Sequence, residues 1–165
     1  MRAKKHQTPA LRLRRDLYTE KEIKTIERAA RLLNRGMRER GVSVGAHSDV
    51  AQYLRAWIGQ GEQEVFVALF LDSMSRLISA QELHQGTLNQ VAVSPREVVR
   101  AALHHNAASV IVAHNHPSGE ITPSLNDENL TRKLKEALGI VDVRLLDHVV
   151  VSDRSAFSMA AEGML

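Results

Sequence analysis

The sequence contains no cysteine among its 165 residues. This absence rules out disulfide bonds and structural zinc sites built from cysteine thiolates, and it agrees with a reducing compartment. No apolar run approaches the roughly 20 residues that a membrane span needs, and the N-terminus lacks the apolar core of a signal peptide. The sequence also has no internal repeat and no low-complexity segment. We therefore predict a cytoplasmic protein that crosses no membrane.

The charge is distributed unevenly along the chain. Residues 1–41 contain 13 Lys and Arg against 5 Asp and Glu, whereas residues 42–165 contain 9 against 14. We therefore predict a basic N-terminal arm over 1–41 and a mildly acidic domain over 42–165. A basic arm favours nucleic acid or another polyanion as a partner, although a solvated, solubilising arm would explain the same charge.

The arm contains one strongly patterned helix. Residues 1–17 have no period and are expected to be disordered on their own. Thr19 is a capping residue type and Glu22 completes a capping box, so a helix should begin there and end near Gly41. Apolar residues then recur every three or four positions, and basic residues follow the same spacing on the opposite side. The apolar stripe is Ile23, Ile26, Ala30, Leu33 and Met37, and the basic stripe is Lys21, Lys24, Arg28, Arg31, Arg35 and Arg38.

The remainder of the chain alternates between strand and helix patterns. A continuous apolar run at 65–71 predicts a strand covered on both faces. Ser94, Pro95 and Glu97 predict a helix start with a capping box, and a second helix is predicted from the cap Ser124 to Leu138, with Gly139 as its terminator. This order of elements predicts an α/β fold with a mixed sheet flanked by helices. Further helices or strands are expected from residue 48 and over 76–83, 89–93, 108–113, 141–152 and 156–159.

The segment from His114 to Asp127 has the composition of a metal site. His114 and His116 are one residue apart, so in an extended chain both imidazoles lie on the same side. Asp127 follows a loop rich in proline, glycine and serine, and its carboxylate could reach the same ion. Three protein ligands leave one position open for water, as in catalytic zinc sites. Ser124 and Asp127 also form an ordinary helix cap, which is compatible with metal binding.

These residues match the His-x-His-x7-Ser-x2-Asp signature of the JAMM (MPN) metallopeptidases, and over about residues 48–153 the chain resembles the RadC family. The resemblance implies the JAMM/MPN variant of the cytidine-deaminase-like architecture and one Zn²⁺ bound by His114, His116 and Asp127. No helix-hairpin-helix pattern precedes the domain, so the chain resembles a short member with the basic helix in that place. The motifs that carry the resemblance are His114 to Gly119, Pro123-Ser124, Gln63-Glu64, Gln85 to Asn89, Pro95 to Glu97 and Leu146 to His148.

The resemblance also implies the chemistry of the site. It maps the general base to Glu64, with Glu82 as the runner-up, because Glu97 has a capping role and Glu62 lies in a glycine turn. Ser124 would lie near the water and help to stabilise the oxyanion. The predicted activity is hydrolysis of a peptide, isopeptide or other amide bond. The alternative is a DNA- or RNA-binding adaptor of this family, which carries a DNA-repair label, with a metal site that does no catalysis.

Two other metal motifs are excluded, and one histidine is interpreted as structural. The adjacent letters His-Asn-His differ from the dispersed residues of HNH nucleases, and zinc deaminases require cysteines that this chain lacks. His148, flanked by apolar residues, is expected to be a core histidine or a partner of a metal ligand. The substrate and the oligomeric state are left open by the sequence.

Overall fold

A computed structural model describes residues 11–39, 47–86 and 93–165. Within these ranges a five-stranded sheet has the order β2-β1-β3-β4-β5. The strands are β1 (Val65–Leu71), β2 (Leu77–Gln85), β3 (Ser109–Asn115), β4 (Arg144–Val151) and β5 (Ala156–Ser158). The helices are α1 (Glu20–Glu39), α2 (His47–Ile58), α3 (Pro95–His104) and α4 (Leu125–Gly139).

The sheet is mixed, as predicted. Strand β1 runs antiparallel to both β2 and β3, whereas β3 and β4 are parallel and β5 returns antiparallel to β4. Parallel neighbours need a crossover connection, and α4 supplies it between β3 and β4. Strand β3 is the central strand of the sheet.

Strand β1 shows why the sheet needs helices on both faces. All seven of its residues are buried, so alternate side chains must enter two separate apolar layers. Val65, Val67 and Leu69 pack with α2, including Trp57. On the other face β1 packs with α3 and α4, through a cluster that includes Phe66, Ala68, Phe70, Val98, Leu134 and Leu138.

The N-terminal helix begins as predicted, but the segment before it is ordered by contacts. The Thr19 backbone N–H donates to the Glu22 carboxylate at 2.8 Å, and the Glu22 N–H donates to the Thr19 hydroxyl at 3.4 Å. Residues 11–17, expected to be disordered on their own, lie against the domain, and Arg12 donates its backbone N–H to the Trp57 carbonyl at 2.8 Å. Leu11 also packs against the apolar cluster around α2.

Several predicted boundaries need correction. Arg76 belongs to the turn before β2, where its side chain bonds Asp72 at 2.7 Å. Ser94 precedes α3 but makes no capping hydrogen bond through its side chain, so the predicted box with Glu97 does not form. Helix α4 includes Gly139 instead of ending before it, and the positive φ of 56° that reverses the chain is at Asp142.

Three predictions concern parts of the chain outside the described residues. They are the helix terminator Gly41, most of the strand expected over 89–93, and the disorder expected for residues 1–10. In the part that is described, no helix is both long and apolar enough to cross a bilayer. The division between residues 41 and 42, and the compartment of the protein, stay predictions.

Candidate metal centre

Strand β3 places both histidines at its C-terminal end. His114 is the sixth residue of the strand and is 0% exposed, because it pairs with Phe66 of β1 on one side and Val150 of β4 on the other. His116 lies one residue beyond the strand, and its backbone N–H donates to the Val151 carbonyl at 2.9 Å. The alternation of the chain puts both rings on the face that is covered by α3 and α4.

The first turn of α4 places Asp127. Ser124 is the N-cap, and its hydroxyl accepts a hydrogen bond from the Asp127 N–H at 3.3 Å. In return, Asp127 Oδ2 accepts from the Ser124 backbone N–H at 2.7 Å and from its hydroxyl at 2.6 Å. The capping box therefore fixes the carboxylate, and it leaves the second oxygen, Oδ1, turned toward His114.

The three side chains converge as the sequence predicted. His114 Nε2 lies 3.0 Å from His116 Nε2 and 3.3 Å from Asp127 Oδ1. One ligand atom from each of the three residues lies within 4.8 Å of the others, a spacing at which they could hold a metal ion. Two imidazoles and a carboxylate suit zinc and related first-row metals.

The hydrogen bond of His116 Nδ1 shows which ring nitrogen is free to bind a metal. His116 Nδ1 lies 2.6 Å from the Glu120 carbonyl oxygen, which can only accept, so the proton of a neutral ring is on Nδ1. His116 therefore turns an unprotonated Nε2 toward the Asp127 carboxylate, 3.9 Å away. Lone pairs facing a carboxylate repel each other unless a proton or a cation lies between them, so this donor set fits a cation.

Burial keeps the inner ligand in its neutral, metal-binding form. Loss of hydration lowers the pKa of the His114 imidazole, the Asp127 carboxylate raises it and the charge of His116 lowers it, and together they bring this pKa to about 4. Burial, followed by the charge of His114, lowers the pKa of His148 well below its usual value. For His114 the effect of burial outweighs that of the nearby carboxylate, so both imidazoles are neutral at neutral pH.

The alternation of side chains assigns the two candidate bases to opposite faces of the sheet. Glu64 directly precedes β1, and its backbone carbonyl accepts a hydrogen bond from the Gly86 N–H at 3.0 Å. It is two residues before Phe66, whose ring lies nearly parallel to His114, so chain alternation puts Glu64 on the face of the histidines. Glu82 pairs with Val67 on the other face, and it bonds Arg12 at 2.7 Å and 2.8 Å.

A groove gives access to the cluster from the His116 side. The His116 side chain is 15% exposed, whereas that of His114 is 0% exposed. A cavity of about 770 Å³ opens beside it, large enough for part of an extended polypeptide. Its walls are formed by residues 14, 17–18, 59–62, 116–119 and 152–155.

Two polar residues at the site were not predicted from the sequence. Asn115 is 0% exposed and binds the backbone N–H of Val65, the first residue of β1, and the backbone carbonyl of Gln63 just before it. Thr131 is 3% exposed and bonds His148, which the sequence did suggest as a partner of a metal ligand. Thr131 lies four residues after Asp127, on the same buried face of α4. This spacing was the sequence signal that could have placed it near the site.

A mixed sheet that carries a His-His-Asp cluster at the end of its central strand is the arrangement of a JAB/MPN-type domain with a possible metal site. The model of the family described as RadC-like JAB domain matches residues 44–164. The chain therefore belongs to this family, which confirms the resemblance seen in its motifs.

Proteins of several bacteria are similar to the chain over most of its length. A UPF0758 protein of Variovorax paradoxus is 50% identical over 143 residues, which are 87% of this chain and 63% of that protein. The UPF0758 protein YkfG of Escherichia coli is 45% identical over 147 residues, which are 89% of this chain and 93% of that protein. The chain thus spans about three fifths of the Variovorax relative and nearly all of the Escherichia one.

Proposed function

We propose that the chain is a zinc-dependent hydrolase of peptide or isopeptide bonds. The observation that carries this proposal is the convergence of His114 Nε2, His116 Nε2 and the Asp127 carboxylate beside an open groove. Three protein ligands with access from one side are typical of catalytic zinc sites, because the fourth position is left for water or substrate. A closed structural site would need a fourth protein ligand.

Hydrolysis of an amide needs an activated water and a proton for the leaving nitrogen. A zinc ion held by His114, His116 and Asp127 would supply a lowered water pKa and would polarise the substrate carbonyl. Glu64 accepts the proton of the attacking water as the new C–O bond forms. When the C–N bond breaks, Glu64 donates this proton to the amine.

The choice of Glu64 over Glu82 is supported by their positions. Glu64 continues the face of β1 on which Phe66 stacks beside His114, with ring centroids 6.5 Å apart. Glu82 is on the opposite face, and both of its carboxylate oxygens accept from Arg12. A base must come within hydrogen-bond reach of the water, which a carboxylate across the sheet cannot do.

Ser124 can stabilise the oxyanion only if its hydroxyl turns away from Asp127. Its hydroxyl proton is directed at Asp127 Oδ2, 2.6 Å away, so its first role is to hold that ligand. A hydroxyl has a single proton, so oxyanion stabilisation requires it to turn from Asp127 to the substrate oxygen. We propose that this turn accompanies substrate binding.

The decisive variant is Glu64→Gln, which keeps the shape of the side chain and removes the base. It should keep its zinc and lose on the order of a hundredfold or more in hydrolysis rate. Glu82→Gln is the matched control and should hydrolyse like the wild type. Panels of fluorogenic peptides and isopeptides supply the substrates, with zinc measured by mass spectrometry.

Two outcomes would overturn the proposal. Wild-type activity in Glu64→Gln would remove that residue from the mechanism. No zinc-dependent amide hydrolysis by the zinc-loaded wild type on either panel would leave the site without this activity and would favour the second candidate function.

The second candidate is a nucleic-acid-binding adaptor, and the exposed side of α1 favours it. Ile23 and Ala30 are buried, so the basic stripe faces away from the domain. Five of its side chains are exposed, whereas that of Arg38 lies outside the description of the structure. The five are Lys21, Lys24, Arg28, Arg31 and Arg35.

Salt dependence tests the adaptor. If the stripe contacts phosphates, affinity for duplex DNA or RNA should fall steeply between 50 and 200 mM salt, since each contact releases counterions. Replacing Lys21, Lys24 and Arg28 by glutamine should weaken binding and flatten the salt slope. The matched control replaces three exposed cations of α4, Arg132, Lys133 and Lys135, by glutamine. Equal losses in both sets would indicate a general effect of charge and not a binding face.

A further inference from the structure

A continuous chain of hydrogen bonds runs from the backbone of one candidate ligand to the ring of another. The Thr131 hydroxyl lies 2.6 Å from the Asp127 carbonyl oxygen and 2.6 Å from His148 Nδ1. His148 Nε2 lies 2.9 Å from His114 Nδ1. Thr131 and His148 are 3% and 0% exposed, so water is largely excluded as a substitute partner. Below we call this path the Thr131–His148 relay.

The direction of each hydrogen bond follows from the start of the relay. The Asp127 carbonyl oxygen can only accept a hydrogen bond. The Met159 sulfur, 3.5 Å from the Thr131 hydroxyl, can likewise only accept. Thr131 therefore donates its one proton to the Asp127 carbonyl oxygen or to the Met159 sulfur. The Thr131 oxygen then accepts a hydrogen bond from the N–H of His148 Nδ1. A neutral imidazole has one N–H, so His148 Nε2 must accept. Its donor is the Nδ1–H of His114.

We propose that Thr131 and His148 are positioning residues that set the tautomer of His114 and thereby its capacity to bind zinc. With the proton held on Nδ1, His114 presents an unprotonated Nε2 toward His116 and Asp127, 3.0 Å and 3.3 Å away. The inference rests on the metal-binding part of the proposed function, but not on amide hydrolysis.

Removing the Thr131 hydroxyl would free the relay to reverse. In Thr131→Val the side chain keeps its shape, but His148 Nδ1 loses its acceptor. His148 can then carry its proton on Nε2 and donate it to His114 Nδ1. That reversal puts the proton of His114 on Nε2, the atom that must bind the metal. Outer partners of ligating histidines typically change metal affinity by about 10–100-fold.

His116 offers an internal reference. Its Nδ1–H is fixed by the Glu120 carbonyl at 2.6 Å, independently of the relay. A change of tautomer confined to His114 and His148 would therefore report the relay. A general loosening of the site would change His116 as well.

The first test is nitrogen NMR of metal-free wild-type protein with ¹⁵N-labelled histidine. We expect His114 and His148 to be protonated on Nδ1. A proton on His114 Nε2 in the wild type would overturn the proposal, and this result needs no variant to fold.

The second test compares Thr131→Val with Thr131→Ser, using zinc and a competing chelator. Thr131→Val should bind zinc about 10–100-fold more weakly and should show protonation of His114 Nε2. Thr131→Ser keeps the hydroxyl and should restore both properties. Unchanged affinity and tautomers in a folded Thr131→Val would overturn the proposal. If the wild type binds no zinc, the proposed function fails, while the NMR result still decides the direction of the relay.

Discussion

The Asn115 side chain accepts the Val65 backbone N–H at 2.7 Å, which joins the central strand to the start of β1. Its Nδ2 also donates to the carbonyls of Gly61 at 3.2 Å and Gln63 at 3.1 Å. Asn115 lies between the two histidines, so strand alternation turns its side chain away from them. One residue thus ties the backbone on both sides of Glu64 to the strand that carries two metal ligands.

Replacing Asn115 by alanine should therefore damage stability and catalysis more than zinc binding. The change leaves the buried Val65 N–H without its acceptor, and we expect a loss of about 2–3 kcal/mol in the free energy of unfolding. Urea denaturation measures the loss. The exposed Asn129, whose side chain accepts a hydrogen bond from Arg132, supplies a matched control with an effect of about 0.5 kcal/mol or less in Asn129→Ala. A stability of Asn115→Ala equal to that of the control would contradict this role.

The capping boxes of α1 and α4 allow the two roles of Ser124 to be separated. Thr19 and Ser124 donate their hydroxyls to Glu22 and Asp127 at 2.7 Å and 2.6 Å. Thr19→Ala and Ser124→Ala should each cost about 1 kcal/mol of stability, the usual value for a lost cap. Only Ser124→Ala should also weaken zinc binding and slow hydrolysis, because only its partner is a candidate ligand. Zinc titration of both variants is the measurement, and equal zinc affinities would argue that the box does not support the site.

The three candidate ligands could be predicted because each depends on local rules. The alternation of a strand brings His114 and His116 to one side, and a Ser124 cap fixes an acidic residue in the first turn of α4. Similarly, the apolar run of β1 required helices on both faces. These features need no knowledge of distant contacts.

The supporting residues depend on contacts between distant parts of the chain. His148 reaches His114 across 34 positions, and Asn115 reaches Val65 across 50. Nothing in the sequence near Asn115 indicates that its amide binds another strand. The placement of Glu82 also required the register of β1 and β2, which contains a shift between Phe66 and Val67. Ser94 shows that a local pattern can also predict too much. Its sequence context predicts a capping box with Glu97, but the Ser94 side chain makes no capping hydrogen bond.

The buried histidines should make the metal-free protein less stable as the pH falls. The pKa of His114 is lowered to about 4 from 6.5, so below pH 6.5 the unfolded chain takes up a proton that the folded chain refuses. The contribution of His114 to the free energy of unfolding is thus fully present above its unfolded pKa, and it declines as the pH falls from about 6.5 toward 4. His114 alone should cost about 2 kcal/mol between pH 7.5 and pH 5. His148, whose pKa is also lowered by burial, acts in the same direction.

Urea denaturation of chelator-treated protein at several pH values measures this slope. Asp72, whose pKa is lowered by hydrogen bonding to the Arg76 N–H, loses its contribution only at lower pH, so it does not interfere in this window. Histidine NMR should show His114 still neutral at pH 5. Equal stability at pH 7.5 and pH 5 would contradict the burial of neutral imidazoles.

Zinc should stabilise the folded chain, and the effect should require His116. A ligand that binds only the folded state adds about 2.7 kcal/mol at 100 times its dissociation constant. For a chain of this size, that gain corresponds to a rise of about 5–10 °C in melting temperature. His116→Ala removes one of three ligands and should abolish most of the rise. His104→Ala, at an exposed position in the last turn of α3, should retain it. Thermal melts with and without zinc, together with zinc content after purification without chelator, provide the measurement. The same rise in His116→Ala as in wild type would mean that zinc binds elsewhere, and no rise in wild type would reject the metal centre.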